Sequence, residues 1–400
     1  MFSPTPTHPV TAGNRARVLA LAKALQGLGH EVHFALATVG PADLESMRRL
    51  FGAHLYVLDC RTPHAVAGIM PRLRRRLLRI LGSERAWLWG LDEHYDTGLT
   101  PQVAALCART RYDAVCVEYV FMSKALEAVP PGVLRIIDTH DRFALRHRTF
   151  LQAGQVPQWF STSVAEETAG LSRADYVMAI QDQEAEQFVQ QLGAAPTQVV
   201  TVGHLLDLDQ RVVPAAVPHA VFLASDNPIN VDAAEYFIER VLPLILREQP
   251  AFRFILAGNV GARVASVHPA VSRMGRVEAV ADAFRAARIA VNPVRVGTGL
   301  NIKMLEALAC GIACVSSETG SRGFEAHRNR AFATVADDDA QGMANTVLRL
   351  LADPQRAAQL AEAGWNLARE WNARQLSGLA HVLAAASASV RPPAERRASA

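Results

Sequence analysis

The sequence predicts an α/β protein built from two tandem doubly wound, Rossmann-like domains that face each other across a cleft. Short apolar runs with strand character alternate with segments of helical spacing along most of the 400 residues. This alternation favours parallel sheets covered by helices on both faces. The pattern stops at a link rich in Pro and Val, residues 204–219, and then starts again, which indicates a second sheet with its own core.

The N-terminal half alternates regularly between the two kinds of segment. Its first helix shows the spacing most clearly, because Val18, Leu21, Ala22 and Leu25 recur on one helical face. In chain order the sequence predicts helix 15–28, strands 31–37 and 55–58, helices 70–89 and 101–110, strands 114–119 and 133–138, helix 160–172, strand 176–180, helix 183–192 and strand 198–202.

The C-terminal half repeats the pattern and contains a turn with two glycines. Gly297 and Gly299 bracket this turn, which follows an apolar strand and precedes a helix that carries Ile302 and Leu305. A glycine turn at the carboxyl end of a parallel strand, followed by a helix N-terminus, favours an anionic ligand such as phosphate. The other predicted elements are strand 220–224, helix 231–248, strand 252–257, helix 279–287 and strands 289–291 and 312–315.

Two charged residues lie on the helix after this turn, Lys303 and Glu306. Of the 41 Lys and Arg residues, only Lys23, Lys124 and Lys303 are lysine. A lysine in so Arg-rich a sequence suits a site that needs a compact ammonium group for phosphate. The alternative is chance together with a solvated helix face.

Two turns of the N-terminal half are also candidates for the cleft. Residues 138–141 read Asp138-Thr139-His140-Asp141 directly after an apolar strand, and a histidine with two carboxylates is typical of an active site. The alternative is that Asp141 caps the next segment and His140 is an ordinary loop histidine. The other turn is 9–14, before the first helix.

Composition excludes several classes of protein. The net charge is +3, and no basic stripe is interleaved with aromatic residues, so we expect no nucleic-acid partner. The five cysteines form no CxxC pair and no Cys/His cluster of zinc spacing, which indicates buried thiols in a reducing compartment. No apolar run approaches the length of a membrane span and no signal peptide opens the chain, so we expect a cytoplasmic protein.

We expect no metal ion. Asp207-Leu208-Asp209 spells a DxD motif and 337–339 is an acidic turn, but short acidic triplets are common by chance.

Five segments carry a family resemblance, in the expected order. They are SPTPTHPVTAGNRARVLALAKALQGLGHEV, VLRIIDTHDRF, LSRADYVMAIQDQE, FLASDNPINVDAAEYF and NPVRVGTGLNIKMLEALACGIACVSSETGSRGF. Over nearly the whole chain they resemble the GT-B glycosyltransferases of family 4, group 1, in a branch with Gly-x-Gly and a lysine. The resemblance implies a retaining glycosyltransferase that moves a sugar from a nucleoside-diphosphate sugar, without a cofactor. The acceptor, a glycan or a lipid-linked glycan, is not identified.

The resemblance implies roles for residues of the C-terminal domain. Glu306 matches the glutamate that holds the donor ribose hydroxyls, and Lys303 falls where this branch carries a lysine. The turn around the donor diphosphate and sugar is matched by Gly297, Thr298 and Gly299. The region near the nucleotide is matched by Gly258, Asn259, Gly275, Arg276 and Val277.

The resemblance also implies roles for the N-terminal domain. His140 matches the histidine that faces the donor sugar, with Asp138 and Asp141 as weaker candidates in the same loop. The loop near the diphosphate and the acceptor is matched by Gly13, Asn14 and Arg15.

The sequence departs from the family at two places. Thr298 stands where the usual motif has its first glutamate, and Ser225-Asp226-Asn227-Pro228 replaces the usual Arg and Lys after the first strand of the C-terminal domain. Neutralisation of the diphosphate would then depend on Lys303, on backbone N–H groups, and on Arg295 or Arg15.

Three functions remain open on the sequence. The first is the retaining transferase, in which N–H dipoles and a cation stabilise the departing phosphate. The second is a nucleotide-sugar epimerase or hydrolase of the same fold, which would turn over without an acceptor. The third is a non-catalytic scaffold, which would bind nucleotide weakly and be indifferent to Glu306→Ala.

Residues 71–89 form a basic amphipathic segment. It combines Arg72, Arg74, Arg75, Arg76 and Arg79 with Leu73, Leu77, Ile80 and Leu81, followed by Trp87 and Trp89. Such a helix suits an anionic membrane surface, which would place the protein peripherally on the inner face of the membrane. The alternative is a surface helix that buries its leucines and solvates its arginines.

We expect four regions in the chain. They are an N-terminal acceptor-side domain (1–205), a C-terminal donor domain (215–367), a closing helix that crosses back to the N-terminal domain (368–386) and a disordered tail (387–400). Only Met1 and Phe2 precede Ser3, where the family has an apolar strand. We therefore expect the first strand to be missing and the natural chain to be longer by one strand.

Overall fold

The computed structural model describes residues 1–38, 40–61, 69–152, 154, 156–157, 159–277, 279–297 and 300–390. Thr298 and Gly299 of the predicted donor turn lie outside these residues, as does the predicted tail from 391 onward. The chain divides into two compact units. The first contains Met1–Pro9, Asn14–Gly203 and Gln375–Ala400, and the second contains Val10–Gly13 and His204–Arg374.

The first unit is built on a seven-stranded sheet in the order β3-β2-β1-β4-β5-β6-β7. All of its strand pairs are parallel. The strands are β1 (Phe2–Ser3), β2 (Phe34–Leu36), β3 (Leu55–Val57), β4 (Ala114–Glu118), β5 (Leu134–Asp138), β6 (Tyr176–Ala179) and β7 (Gln198–Thr201).

The helices of this half follow the predicted alternation closely. They are α1 (Gly13–Gly27), α2 (Leu44–Phe51), α3 (Ile69–Ile80), α4 (Leu99–Arg109), α5 (His147–Gln152), α6 (Val164–Leu171) and α7 (Asp182–Leu192). The sequence did not predict α2 or α5, and the predicted helix 70–89 extended α3 through the 3-10 turn Glu84–Trp87.

The central position of the first sheet, where we expected no strand, is occupied by the two residues of β1, and the expectation of a longer natural chain stays a prediction. Phe2 pairs with Ala35 on one side and with Val117 on the other. The α-amino group of Met1 donates to the carbonyl of His33 at 2.7 Å. Phe2 fills the core slot between the neighbouring strands with a side chain that is 2% exposed.

The second unit is built on a six-stranded parallel sheet in the order β10-β9-β8-β11-β12-β13. The strands are β8 (His219–Leu223), β9 (Arg253–Ala257), β10 (Val271–Gly275), β11 (Ile289–Asn292), β12 (Ala313–Ser317) and β13 (Ala333–Val335). The sequence analysis missed β10 and β13. Both are edge strands with partly exposed residues, so neither shows a continuous apolar run.

The helices of the second half are α8 (Pro228–Tyr236), α9 (Leu242–Glu248), α10 (Val280–Arg285), α11 (Ile302–Ala309), α12 (Ala340–Ala352) and α13 (Pro354–Val390). The predicted helix 231–248 is two helices, because a π-helical segment, Phe237–Val241, lies between them. The predicted closing helix is part of α13, which includes residues 387–390 that we expected in the tail. Its crossing to the N-terminal domain stays a prediction.

The second sheet is covered on both faces, as a doubly wound sheet requires. Along β8, Ala220 and Phe222 face one apolar cluster, whereas Val221 faces another. Strand β9 repeats this alternation, with Phe254 on the first face and Ile255 on the second. Both units thus contain parallel sheets with helices, and the predicted α/β class with two Rossmann-like domains is confirmed.

The structure also bears on the expected free cysteines and on the expected lack of a membrane-spanning segment. All five cysteines are free thiols; Cys116, Cys310 and Cys314 are buried, and Cys60 and Cys107 are half-buried. Among the described helices, none is both long enough and apolar enough to cross a bilayer.

Candidate functional site

The sheet of the first unit brings two carboxylates together where β4 and β5 end. Glu118 is the last residue of β4 and Asp138 is the last residue of β5, and the two are paired in register. Both are fully buried. The carboxyl ends of parallel strands are where open α/β sheets bind ligands, so this edge is the candidate site of the first unit.

A buried arginine on the first helix neutralises Asp138. Arg17 on α1 donates hydrogen bonds to both carboxylate oxygens of Asp138, from Nε to Oδ2 at 2.9 Å and from Nη2 to Oδ1. Nη2 also donates to the carbonyl of Val202 at 2.6 Å. Burial alone would raise the pKa of Asp138, but the guanidinium outweighs burial and lowers it. Asp138 is therefore ionised and paired.

His140 lies beside this pair and contacts both carboxylates. Its Nε2 is 2.6 Å from Oε2 of Glu118 and 3.4 Å from Oδ2 of Asp138. Its ring stacks on Tyr119, with centroids 4.0 Å apart and planes inclined by 16°. We call Arg17, Glu118, Tyr119, Asp138 and His140 the strand-end cluster.

Two residues of the strand-end cluster have a left-handed backbone. The φ angle is 72° at Tyr119 and 60° at His140. This conformation costs a non-glycine residue about 1–3 kcal/mol and is most unusual for a bulky side chain. The strain accompanies the stack of the two rings, and it turns the chain sharply after β4 and β5.

Burial decides the protonation of the other two ionisable groups. It raises the pKa of Glu118 well above its usual range, with the charge of Asp138 acting in the same direction. It lowers the pKa of His140 to about 4. At neutral pH the imidazole of His140 is thus uncharged, and the raised pKa of Glu118 favours its protonated carboxyl. A neutral imidazole suits a hydrogen bond to a sugar hydroxyl rather than an ion pair.

A metal ion does not fit the strand-end cluster. Ligand atoms of Glu118, Asp138 and His140 lie within 4.8 Å of one another, as a metal would require. However, the Arg17 guanidinium already holds both oxygens of Asp138 and would repel a second cation. The acidic triplets also have other partners: Asp207 caps a 3-10 turn, Asp337 binds Thr319, and Asp339 caps α12. The absence of metal stays a prediction.

The start of α1 is held to the preceding loop and to Pro41 mainly through backbone carbonyl groups. Arg15 donates to the carbonyls of Pro9 at 3.2 Å and Pro41 at 3.1 Å. The side chain of Asn14 accepts from the N–H of Arg15 at 2.9 Å. Gly13 belongs to the second unit, where a Cβ on it would lie 3.5 Å from the Ile302 side chain. Gly13 therefore borders the first residue of α11.

A buried polar network holds the turn before α11. Asn292, the last residue of β11, donates to Ser316 at 3.2 Å and to the carbonyl of Gly320 at 2.9 Å. Asn301 donates to Asn292 at 3.4 Å, and its own side chain caps α11 at Met304. The two asparagines thus fix where the turn leaves β11 and where it enters the helix.

One charged side chain lies beside Gly297, where the turn begins, and two lie on the helix that follows the turn. Gly297 has a φ of 141°, and a Cβ there would lie 3.3 Å from Nη2 of Arg322. Lys303 and Glu306 are half-buried on one face of α11. Among the described residues, neither side chain has a hydrogen bond or a close ion pair. A glycine turn next to Arg322 and Lys303 has the composition of a phosphate site.

Desolvation moves the pKa values of Lys303 and Glu306 toward neutral pH. Burial lowers the pKa of Lys303 to about 8, opposed by Glu306 and reinforced by Arg322. Burial raises the pKa of Glu306 to about 7, opposed by Lys303. An anion bound beside Lys303 would stabilise its ammonium form.

The other predicted donor residues lie at the same edge of the second sheet. Gly258 follows β9 with a φ of 83°, and a Cβ there would lie 2.3 Å from the carbonyl oxygen of Ala224, so only glycine fits. Asn259 begins a 3-10 turn after it. Gly275 ends β10, and it is followed by the exposed Arg276 and the half-buried Val277.

The structure gives Arg295 a different partner from the expected phosphate. Its guanidinium lies 2.9 Å from Asp232 and 2.8 Å from Asp338, and it stacks over the Tyr236 ring at 4.3 Å. Two carboxylates offset its charge, so Arg295 is a poorer phosphate ligand than the sequence indicates. Arg322 takes its place beside the turn.

Helix α3 exposes its apolar residues, contrary to the surface-helix alternative. Leu73, Leu77, Ile80 and Leu81 are 54% to 76% exposed and recur at helical spacing. Arg75, in contrast, is buried, paired with Glu93 and stacked on the Trp89 ring at 3.6 Å. The side chain of Arg72 lies outside the described residues.

Several functional candidates were missed from the sequence. Glu118, Tyr119 and Arg322 lie within or beside the two sites, although the sequence analysis gave none of them a role; Arg17 was noted only as a neighbour of the turn before the first helix. Glu118 had a usable signal, because it ends an apolar strand next to the one that ends at Asp138. The contact between Arg17 and Asp138 joins residues 121 positions apart, which no local pattern reveals.

Comparison with known proteins assigns the chain to a family. A family model described as "Glycosyl transferase 4-like domain" matches residues 12–204, and one described as "Glycosyl transferases group 1" matches residues 217–353. The chain belongs to this group 1, family 4-like glycosyltransferase family. It is 28% identical over 240 residues to D-inositol 3-phosphate glycosyltransferase 2 of Catenulispora acidiphila. That match covers 53% of this chain and 56% of the relative, or about half of its length.

Solved structures share the fold. Sucrose-phosphate synthase from Thermosynechococcus elongatus matches with a TM-score of 0.65 and 19% identity, over 96% of this chain and 99% of that one. Anabaena HepE, solved in complex with UDP and glucose, matches with a TM-score of 0.63 and 13% identity, over 96% and 98%. At these identities the likeness shows the GT-B fold, as predicted.

The protonation of His140 leads to a testable dependence of stability on pH. Its pKa is about 4 in the folded chain and 6.5 in the reference state, so protonation favours unfolding between these values. The stabilisation of the folded chain by neutral His140 is complete above pH 6.5 and is lost as the pH falls toward 4. We compare the free energy of unfolding of the wild type with that of His140→Asn, since asparagine tolerates the left-handed backbone. We expect the difference between the two proteins to shrink by about 2 kcal/mol from pH 7.5 to 5.

Urea unfolding of both proteins at several pH values measures this difference. Between pH 7.5 and 8.5 the difference serves as the control and should be constant. An unchanged difference at pH 5 would contradict a neutral, buried His140.

Proposed function

We propose that this protein is a retaining glycosyltransferase that transfers a sugar from a nucleoside-diphosphate sugar without a metal ion. The observation that carries the proposal is the group of charges at the turn before α11. Lys303 and Glu306 offset each other only in part and form no hydrogen bond or close ion pair among the described residues, whereas Arg17 and Arg295 are each paired with a carboxylate. Desolvated charges without a partner are costly, and a ligand that matches them would offset that cost.

A donor diphosphate supplies the complementary charges. Its phosphates would lie at Gly297, next to Arg322 and Lys303, and its ribose hydroxyls at Glu306. HepE, which shares the fold, binds UDP, and this supports UDP as the first nucleotide to test. Gly258, Asn259, Arg276 and Val277 end the neighbouring strands and would contact the base.

The chemistry follows from the charge that develops during transfer. Cleavage of the sugar–phosphate bond builds positive charge on the anomeric carbon and negative charge on the departing diphosphate. Lys303 and Arg322 would stabilise the departing group in a partly desolvated setting, where electrostatic interactions are stronger than in water. His140 would orient a donor hydroxyl through a neutral hydrogen bond, with Gly13, Asn14 and Arg15 near the acceptor.

Among retaining mechanisms, the state of the carboxylates in the first unit disfavours a double displacement. A double displacement needs an accessible carboxylate nucleophile. Asp138 is held by Arg17, and Glu118 is fully buried against His140, so neither is available to attack a sugar. The acceptor would then attack from the side of the leaving diphosphate, which takes up its proton.

Calorimetric titration with UDP, GDP, ADP and dTDP tests the donor site. We expect one nucleotide to bind, and Glu306→Ala and Lys303→Met each to weaken it at least 10-fold (about 1.4 kcal/mol). Lys23→Met, which removes an exposed lysine from α1, is the matched control and should bind normally. Because the pKa of Lys303 is about 8, wild-type affinity should also fall as the pH rises above 8.

An assay of the nucleotide sugar without an acceptor, together with the same titration, distinguishes the other two functions. Turnover of the donor at full rate without an acceptor would favour the epimerase or hydrolase. Absence of nucleotide binding by folded protein, or binding that is indifferent to Glu306→Ala, would favour the scaffold.

We propose in addition that helix α3 contacts an anionic membrane surface. The apolar stripe formed by Leu73, Leu77, Ile80 and Leu81 is exposed, and Arg74 and Arg76 are exposed beside it. The buried Arg75 anchors the opposite face of the helix to Glu93. An exposed apolar stripe flanked by arginines matches the boundary between anionic headgroups and acyl chains. The acceptor would then be a lipid-linked glycan at the inner face of the membrane.

Liposome flotation tests this surface. Vesicles of phosphatidylcholine with 30% phosphatidylserine should float with the wild-type protein, but not with the Leu73→Ser/Leu77→Ser/Ile80→Ser variant. Arg74→Gln/Arg76→Gln should reduce flotation and make it less sensitive to salt. The matched control, Arg48→Gln/Arg49→Gln, removes two exposed arginines from α2 and should float normally. Flotation that none of these variants changes would remove the proposal.

A further inference from the structure

A second group of metal-ligating side chains lies at the opposite edge of the first sheet. Glu31 and His33 immediately precede β2, and His54 immediately precedes β3. Strands β2 and β3 are parallel and pair Phe34 with Leu55. His33 and His54 therefore occupy equivalent positions at the amino ends of neighbouring strands. The strand-end cluster lies at the carboxyl ends, so this group is separate from it.

The three side chains converge closely. His33 Nε2 is 2.6 Å from Oε1 of Glu31, and His54 Nδ1 is 3.8 Å from the same oxygen. The two imidazole rings have centroids 4.1 Å apart. One ligand atom from each residue lies within 4.8 Å of the other two. In zinc sites the ligands lie about 2.0–2.2 Å from the ion and hence roughly 3–3.5 Å from one another. A shift of about 1 Å would reach that arrangement.

His33 is oriented by groups behind it. Its Nδ1 is 3.2 Å from the Tyr56 hydroxyl and 3.1 Å from the Tyr112 hydroxyl. Only 10% of its side chain is exposed. Partners of this kind hold the ring of a metal-ligating histidine and leave the other nitrogen for the ion. The supporting hydrogen bonds distinguish this group from histidines that meet by chance on a surface.

The other two ligands are open to solvent. The side chains of Glu31 and His54 are 70% and 41% exposed. An ion can therefore enter without unfolding the sheet, and Glu31 can adjust its rotamer. With three protein ligands, water would complete the coordination.

We propose that Glu31, His33 and His54 form a binding site for a divalent transition-metal ion of the zinc class. Two imidazoles and one carboxylate suit Zn²⁺, Co²⁺, Ni²⁺ or Cu²⁺, whereas Mg²⁺ and Ca²⁺ prefer sites made of oxygen ligands. The ion links the segment before β2 to the turn before β3. Binding to the folded chain alone therefore stabilises this edge of the first unit.

Zn²⁺ calorimetry and Co²⁺ absorption on the full, tag-free chain test the site. The sequence has 13 histidines, so variants are needed to locate the bound ion. We expect one equivalent of Zn²⁺ to bind at micromolar concentration or tighter, and Co²⁺ to give visible bands of a nitrogen- and oxygen-ligated ion. His54→Ala and Glu31→Gln should each weaken Zn²⁺ binding at least 10-fold. Both change exposed side chains, so the fold should persist.

His30→Ala is the matched control, because it removes an exposed histidine next to Glu31. It should bind Zn²⁺ as the wild type does, and Zn²⁺ should raise the unfolding temperature of the wild type and of His30→Ala but not of His54→Ala. No Zn²⁺ binding by the wild type would overturn the proposal. So would wild-type affinity in His54→Ala, or an equal loss in His30→Ala.

Discussion

The buried ion pair between Arg17 and Asp138 is the interaction on which the first unit depends. It joins α1 to the end of β5 and, through the carbonyl of Val202, to the end of β7. Loss of one partner would leave a buried charge unpaired, at a cost of about 3–5 kcal/mol. Because the pair supplies the only charges within the strand-end cluster, Glu118 and His140 can remain neutral beside it. The strand-end cluster thus carries no net charge, although all five of its side chains are ionisable.

In the second unit, by contrast, the charged side chains of α11 are not paired within the framework that holds the site. Its framework is neutral, since Asn292 and Asn301 fix the turn through amide hydrogen bonds. The charged side chains of Lys303 and Glu306 do not take part in that framework. Their pKa values, about 8 and about 7, show that desolvation is not fully offset within the protein. A rigid neutral scaffold that presents uncompensated charges is preorganised for an ionic ligand, and this contrast with the first unit supports a donor site on α11.

The sequence was sufficient for features that depend on local pattern. Helical spacing and the alternation of apolar runs located most helices and strands, and the glycine turn with Lys303 marked the region that we propose as the donor site. Sequence reasoning failed where the outcome depends on distant contacts or on edge strands. It offered Arg295 or Arg15 for the diphosphate without the pairing of Arg295 with Asp232, because that pairing crosses 63 positions. It expected an empty slot at β1, because a two-residue strand such as Phe2–Ser3 carries no periodic signal.

The central claim is that α11 and the turn before it hold the diphosphate of a sugar donor. A crystal structure of the full chain in complex with the nucleoside diphosphate that it binds best is the most direct test. The account predicts phosphate oxygens within hydrogen-bond distance of Lys303 Nζ and beside Gly297, with Arg322 next to them and the ribose hydroxyls on Glu306. A nucleotide bound elsewhere, with Lys303 and Glu306 facing only solvent, would contradict it.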